Sequence, residues 1–124
     1  MLSSVNKWFI YAIECENDSL YIGQTSNLQK RWEMHLLGKG ADWTNKYKPT
    51  FFYEIETCDS LKEAILKEKD WKTTNGRRKI KQIVANLRDS QAGEPAEKLL
   101  EQILEEKAKM EAELKGTRKK GSKK

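Results

Sequence analysis

Two short runs of aromatic and β-branched residues, Lys7 to Glu14 (KWFIYAIE) and Leu20 to Gln24 (LYIGQ), flank the turn-forming stretch Glu16 to Ser19 (ENDS). Runs of this composition read as strands. So short a connection permits only an antiparallel return, because a parallel one needs a dozen or more residues. A turn centred near Glu16 sets Tyr11 roughly opposite Tyr21, where the Cβ atoms of direct neighbours lie about 5 Å apart. Gly23, two residues on, falls on the same face near Phe9. A glycine weakens a strand unless something needs the space. Either the two phenols form a plain hydrophobic pair beside a bulge, or the space admits a phosphate or a ligand backbone.

The rest of the chain supplies helices to cover that sheet. Thr25, Ser26 or Asn27 caps a helix that runs to Leu37 and stops at Gly38. Leu28, Trp32 and Leu36 step by four as its buried stripe, with Arg31 and His35 one turn apart on the stripe's edge. A loop from Gly38 to Pro49 (GKGADWTNKYKP) leads to a third strand, Thr50 to Glu56, with Phe51, Tyr53 and Ile55 on one face. Ser60 to Glu63 is a capping box opening a helix to about Thr73. Asn75-Gly76 breaks the chain before a basic helix from Arg77 to Leu87. From Ala96 to Leu114 apolar residues recur at helical spacing. The fold expected is α+β: a small three-stranded antiparallel sheet flanked by helices, with an added C-terminal helix. Residues 1–89 form the domain, 90–95 a linker, 96–115 an amphipathic helix separable from the domain, and 116–124 a disordered basic tail.

The net charge of +5 favours polyanionic partners. No apolar run approaches the roughly 18 residues that span a bilayer. The first residues lack the uniform apolar core of a signal peptide, so no membrane association and a cytoplasmic location are expected. Cys15 and Cys58 are expected as reduced thiols, and without a CxxC or HxxxH pair no structural zinc site is expected. Lys39, Lys46 and Lys48 alternate with Trp43 and Tyr47, while Lys72, Arg77, Arg78, Lys79 and Lys81 follow the second helix. Lysines mixed with exposed aromatics suit nucleic-acid backbone contacts and base stacking; a charge run of this kind is also an ordinary solvated face. Arg31 and His35 suit a phosphate clamp, or form an ordinary boundary pair. Glu68 projects from a helix face carrying Leu61, Ala64, Ile65 and Trp71. A carboxylate facing inward must be paired, protonated or bound to metal. An ion pair with Arg31 and ligation of Mg²⁺ or Mn²⁺ are the two possibilities.

Taken in order, F-I-Y (Phe9 to Tyr11), Y-I-G (Tyr21 to Gly23), T-S-N-L-Q-K-R-W-E-M-H (Thr25 to His35), G-K-G-A (Gly38 to Ala41) and E-A-I-L-K-E (Glu63 to Glu68) resemble the GIY-YIG nuclease superfamily, in its small single-domain bacterial branch. The resemblance covers about Lys7 to Val84 and departs from the name motif at Phe9, where the family has Gly. It implies a metal-dependent endonuclease that hydrolyses phosphodiester bonds in duplex or branched DNA, structure-specific in repair or recombination, with RNA also open. It implies Tyr11, Tyr21, Arg31, His35 and Glu68 as the catalytic set. Glu68 holds Mg²⁺ or Mn²⁺, Arg31 stabilises charge on phosphorus, and Tyr11 or His35 serves as general base. Nucleic-acid contacts fall to Gly23, Lys39, Trp43, Lys46, Lys48, Lys72, Arg77 and Arg78. The family's supporting Asn has two candidates, Asn75 and Asn86. The competing expectations are a non-catalytic nucleic-acid-binding module on the same scaffold, and an interaction protein that works as a homodimer through its C-terminal helix.

Overall fold

The structure is a computed structural model that describes residues 7–122, with side chains described as far as Lys115. The elements run β1 (Trp8–Cys15), β2 (Leu20–Thr25), α1 (Leu28–Leu36), α2 (Asp42–Lys46), β3 (Pro49–Cys58), α3 (Leu61–Trp71), α4 (Thr74–Asp89), β4 (Glu94–Pro95) and α5 (Ala96–Ser122). The fold is α+β as expected, with a four-stranded sheet in the order β2-β1-β3-β4 rather than a three-stranded one. The fourth strand comes from the expected linker, where Glu94 and Pro95 pair with Phe52 and Phe51. None of the described helices is long and apolar enough to cross a membrane.

β1 lies between two strands and between two helical layers. Ile10 and Ala12 point to a cluster with Ile22, Tyr53, Ala64 of α3 and Ile80 and Val84 of α4. Tyr11, Ile13 and Cys15 point the other way, to Phe52, Ala96, Leu99 and Ile103, with Leu28, Trp32 and Leu36 of α1 packed alongside. Burial on both faces explains why β1 is apolar at successive positions rather than at alternate ones. Phe51, Tyr53 and Ile55 share one face as the alternation of β3 requires. Both cysteines are buried free thiols.

The hairpin register corrects one expectation. The turn closes with Cys15 N–H donating to the Ser19 carbonyl and Asp18 N–H donating to the Cys15 carbonyl. Asp18 takes a left-handed φ of 68°, the signature of a three-residue loop. The loop is thus centred on Asn17, one residue later than expected, and each partner moves by two. Tyr11 faces Gly23 and Tyr21 faces Ile13. The two tyrosines share a face on a diagonal and are not directly opposed.

Helix ends follow local chemistry closely. Asn27 caps α1 by accepting from the Lys30 N–H, and Gly38 leaves it at φ +79°. Ser60 accepts from the Glu63 N–H, while the Glu63 carboxylate accepts from the Asp59 N–H. The expected break at Asn75-Gly76 is instead the first turn of α4. Its cap is Thr73, whose hydroxyl accepts from the Gly76 N–H and donates to the Asp70 carbonyl. Gly76 is needed for a close corner, since a Cβ there would stand 2.7 Å from Trp71 Cα.

The C-terminal helix is less separable than its linker suggests. Ala96, Leu99 and Ile103 are buried on the α1 side of the sheet, and α5 runs on through Ser122. It therefore continues over residues 116–122, where a disordered tail was expected; residues 123–124 and the side chains after Lys115 lie outside the described residues. Leu104, Met110 and Leu114 are exposed. Burying one aliphatic side chain contributes about 1.5–3 kcal/mol, against a total stability of about 5–15 kcal/mol. Deleting residues 94–124 is therefore expected to lower the urea midpoint sharply or unfold the chain. Ending it after Leu104 should leave the midpoint nearly unchanged. Equal midpoints for the two truncations would show that α5 adds nothing to the core.

Candidate active site

The site is built over a glycine. A Cβ on Gly23 would stand 2.6 Å from Tyr11 Cζ, so its missing side chain lets the Tyr11 ring cross β2. The space that a phosphate might have used is filled by the protein's own phenol. Gly40 does the same for His35, because a Cβ there would meet the imidazole Cγ at 2.7 Å.

His35 is the buried residue of α1, not an edge residue; it is 2% exposed, and Tyr11 is 1% exposed. α2, which sequence patterning does not reveal, closes over the imidazole. The Tyr11 hydroxyl lies 2.9 Å from His35 Nε2, and His35 Nδ1 lies 2.7 Å from the hydroxyl of Thr44 in α2. The rings of Tyr11, Tyr21 and His35 form one cluster, with centroids 5.2 to 6.5 Å apart.

Charge follows burial. Desolvation holds the Tyr11 phenol well above its usual range, Tyr21 adds to this, and the Arg31 charge opposes it without prevailing. Desolvation, then Arg31, pushes His35 down to about 4. At neutral pH the pair is a neutral phenol and a neutral imidazole. Arg31, half-buried, has its Nε buried with no hydrogen-bond partner among the described residues. Buried donors are nearly always satisfied; of the three buried side-chain atoms without a partner among the described residues, with Gln24 Oε1 and Trp32 Nε1, Arg31 Nε is the charged donor and the one suited to an anion.

Glu68 meets neither the apolar face nor the partner expected for it. Leu61 and Ile65 are exposed, because Ile80 and Val84 of α4 occupy the core there. Ala64 is the buried residue of α3. The Glu68 side chain is 22% exposed and pairs with Lys72 at 2.6 Å, not with Arg31. Its charge still acts on Tyr11. No cluster of three His, Cys, Asp or Glu capable of holding a metal occurs among the described residues. One accessible carboxylate held only by a surface lysine fits a hydrated Mg²⁺ or Mn²⁺ completed by water and substrate phosphate, and does not fit zinc.

Tyr21 and Lys72 also line a cleft of about 530 Å³ beside β2, together with Trp43, Arg77, Lys81 and Asp18. The fold thus gathers Trp43, Lys72 and Arg77 from two distant segments. Trp43 is fixed by its indole N–H, which donates to the Ser19 hydroxyl at 2.8 Å. Other expected contacts lie elsewhere. Arg78 donates to Asn75, and Asn86 accepts from Gln82. Lys39 and Lys46 are exposed on the α1–β3 connection, with Lys46 over the Tyr47 ring. Lys48 lines a different cleft, on the Thr44 side of His35. Thr44 and Gly40 were not identified from the sequence: a threonine in a polar loop carries no periodic signal, and Gly40 stood only within the G-K-G-A token.

The model of the GIY-YIG catalytic domain matches residues 7–81, a span that ends before α5. The chain is similar to UPF0213 proteins of Staphylococcus haemolyticus (35% identical over 77 residues, 62% of this chain and 94% of the relative) and Bacillus velezensis (33% over 87 residues, 70% and 88%). A UPF0213 protein of Cupriavidus necator is 36% identical over 67 residues, 54% of this chain and 73% of the relative. No solved structure matches the chain.

Proposed function

This chain belongs to the GIY-YIG family, and from that premise we propose that it is a divalent-metal-dependent endonuclease hydrolysing phosphodiester bonds in DNA. The observation that carries the reading is the unsatisfied Arg31 Nε, whose charge acts on both members of the Tyr11–His35 pair; Tyr21, in ring contact with that pair, and Lys72, the partner of Glu68, line a basic cleft. A nuclease of this kind acts on duplex or branched DNA, and structure-specific cleavage in repair or recombination is the setting it suits.

The chain's own groups divide the work. Trp43, Lys72, Arg77 and Lys81 hold the strand by charge and stacking. Arg31 places its forked donors on the scissile phosphate and stabilises the extra charge of five-coordinate phosphorus. Tyr21, open to the cleft, orients the phosphate and the attacking water. The water proton passes to the Tyr11 oxygen as the Tyr11 proton passes to His35 Nε2. The water oxygen bonds to phosphorus, and the leaving oxygen departs with the electron pair of the broken P–O bond and takes a proton from solvent; His35 then returns its proton through the Tyr11 oxygen to solvent, which restores both groups. Glu68 would hold a divalent ion, which when bound would supply charge neutralisation for the reaction.

Labelled duplex, branched, flap and single-stranded DNA, with RNA alongside, incubated with Mg²⁺ and with EDTA, tests the proposal. Mg²⁺-dependent cleavage of DNA is expected. Binding without cleavage across the whole panel would favour the non-catalytic nucleic-acid-binding module. Within the active protein, Tyr11→Phe is expected to cut the single-turnover rate about a hundredfold or more, the scale of general acid–base catalysis. Tyr21→Phe should cost much less. The reverse order would move the proton-transfer role to Tyr21.

A further inference from the structure

We propose that Thr44 is a positioning residue that sets the direction in which protons run through His35 and Tyr11. It does so by accepting a hydrogen bond from His35 Nδ1–H and thereby leaving Nε2 as the acceptor of the Tyr11 hydroxyl. The consequence for catalysis rests on the nuclease reading above; the tautomer itself does not.

The assignment follows from counting protons. Thr44 is 2% exposed, so its hydroxyl finds its partners within the protein. Two groups stand within reach: the Ala41 carbonyl at 3.2 Å and His35 Nδ1 at 2.7 Å. A carbonyl only accepts, and the Thr44 hydroxyl is placed to donate to Ala41, whose oxygen also accepts from the Asn45 N–H at 3.1 Å; we assign the one hydroxyl proton to that bond. The Thr44 oxygen then turns a lone pair toward Nδ1, which must carry a hydrogen to complete the bond. A neutral imidazole has a single N–H, and burial keeps His35 neutral. Nε2 is therefore bare, and the hydroxyl 2.9 Å away on Tyr11 must donate to it. In the other tautomer Nε2–H would donate to Tyr11, and the Tyr11 proton would point away from His35. Tyr11 could then give a proton to the site but could not relay one inward.

The surroundings hold Thr44 in place. Its β-branched side chain has few χ1 options, and the preceding residue ties α2 to the β1–β2 turn through the Trp43–Ser19 bond. Gly40 lets this segment approach the imidazole closely enough for the 2.7 Å contact.

His35 is the sole histidine in the chain, so nitrogen-15 spectra of the intact protein report its tautomer without ambiguity. Wild type and Thr44→Ser are expected to show Nδ1–H. Thr44→Val, which keeps the shape and removes the acceptor, should show Nε2–H. It should also lower kcat about tenfold or more with KM nearly unchanged, and Thr44→Ser should restore the rate. Nε2–H in the wild type overturns the proposal, and so does a Thr44→Val variant that keeps both Nδ1–H and turnover. If Thr44→Val fails to fold, the wild-type and Thr44→Ser spectra still decide. A wild type that shows Nδ1–H but cuts no substrate supports the tautomer and overturns the nuclease reading.

Discussion

Replacing Glu68 by alanine is expected to abolish cleavage in Mg²⁺ and to leave a folded protein that still binds DNA. The two halves of that result have separate causes. The carboxylate is partly exposed and its hydrogen-bond partner is Lys72, one helical turn on. Exposed pairs of this geometry contribute about 0–1 kcal/mol, and alanine is the best helix former. Melting by circular dichroism should therefore shift by a few degrees at most. Binding should persist because Lys72, released from Glu68, remains on the cleft with Arg77 and Lys81. Turnover should vanish because no cluster of acids stands by to hold the metal among the described residues. Glu68→Gln, which keeps the shape and loses the charge, should behave alike. A variant that cuts at the wild-type rate would show that Glu68 is not the metal ligand. One that unfolds would show that its role is structural.

Arg31→Lys is expected to be nearly as damaging to turnover as Arg31→Ala, with a loss of about a hundredfold or more in both. A lysine supplies the charge from a flexible stem but not the planar fork, and it has no equivalent of the buried Nε that stands unsatisfied here. The His35 titration separates charge from geometry in the same variants. Arg31 is the second cause, after burial, of the low His35 value of about 4. Removing a nearby cation makes the imidazolium easier to form, so Arg31→Ala should raise that midpoint. It should stay below the ordinary 6.5, because the larger cause is untouched. Arg31→Lys should leave the midpoint close to where it is. Lysine restoring most of the rate would show that charge alone acts at this position.

Much of the scaffold was legible because it is decided by neighbours in the chain. The Asn27 and Ser60 caps, the stop at Gly38 and the alternation of Phe51, Tyr53 and Ile55 each depend on hydrogen bonds or side-chain periods that span a few residues. The family was legible as an ordered set of short motifs, which the match over residues 7–81 bears out.

Their arrangement was not. The hairpin partners of Tyr11 and Tyr21 hung on whether the turn centred on Glu16 or Asn17, and a shift of one residue in the turn moves every partner by two. The helical period placed His35 on the edge of α1, but α2 folds back over it, and only that long-range contact buries the imidazole and supplies Thr44. The same period put Leu61 and Ile65 inside, until α4 occupied their place with Ile80 and Val84. A polar stretch with Gly and Pro read as linker, yet Glu94 and Pro95 found the free edge of β3. By itself, then, the sequence determined the first three strands, the Asn27 and Ser60 caps and the presence of the four longer helices, because each is set by local backbone hydrogen bonding and side-chain period. Tertiary structure alone decided which groups are desolvated and which protons have partners. Those depend on residues far apart in the chain competing for the same buried space.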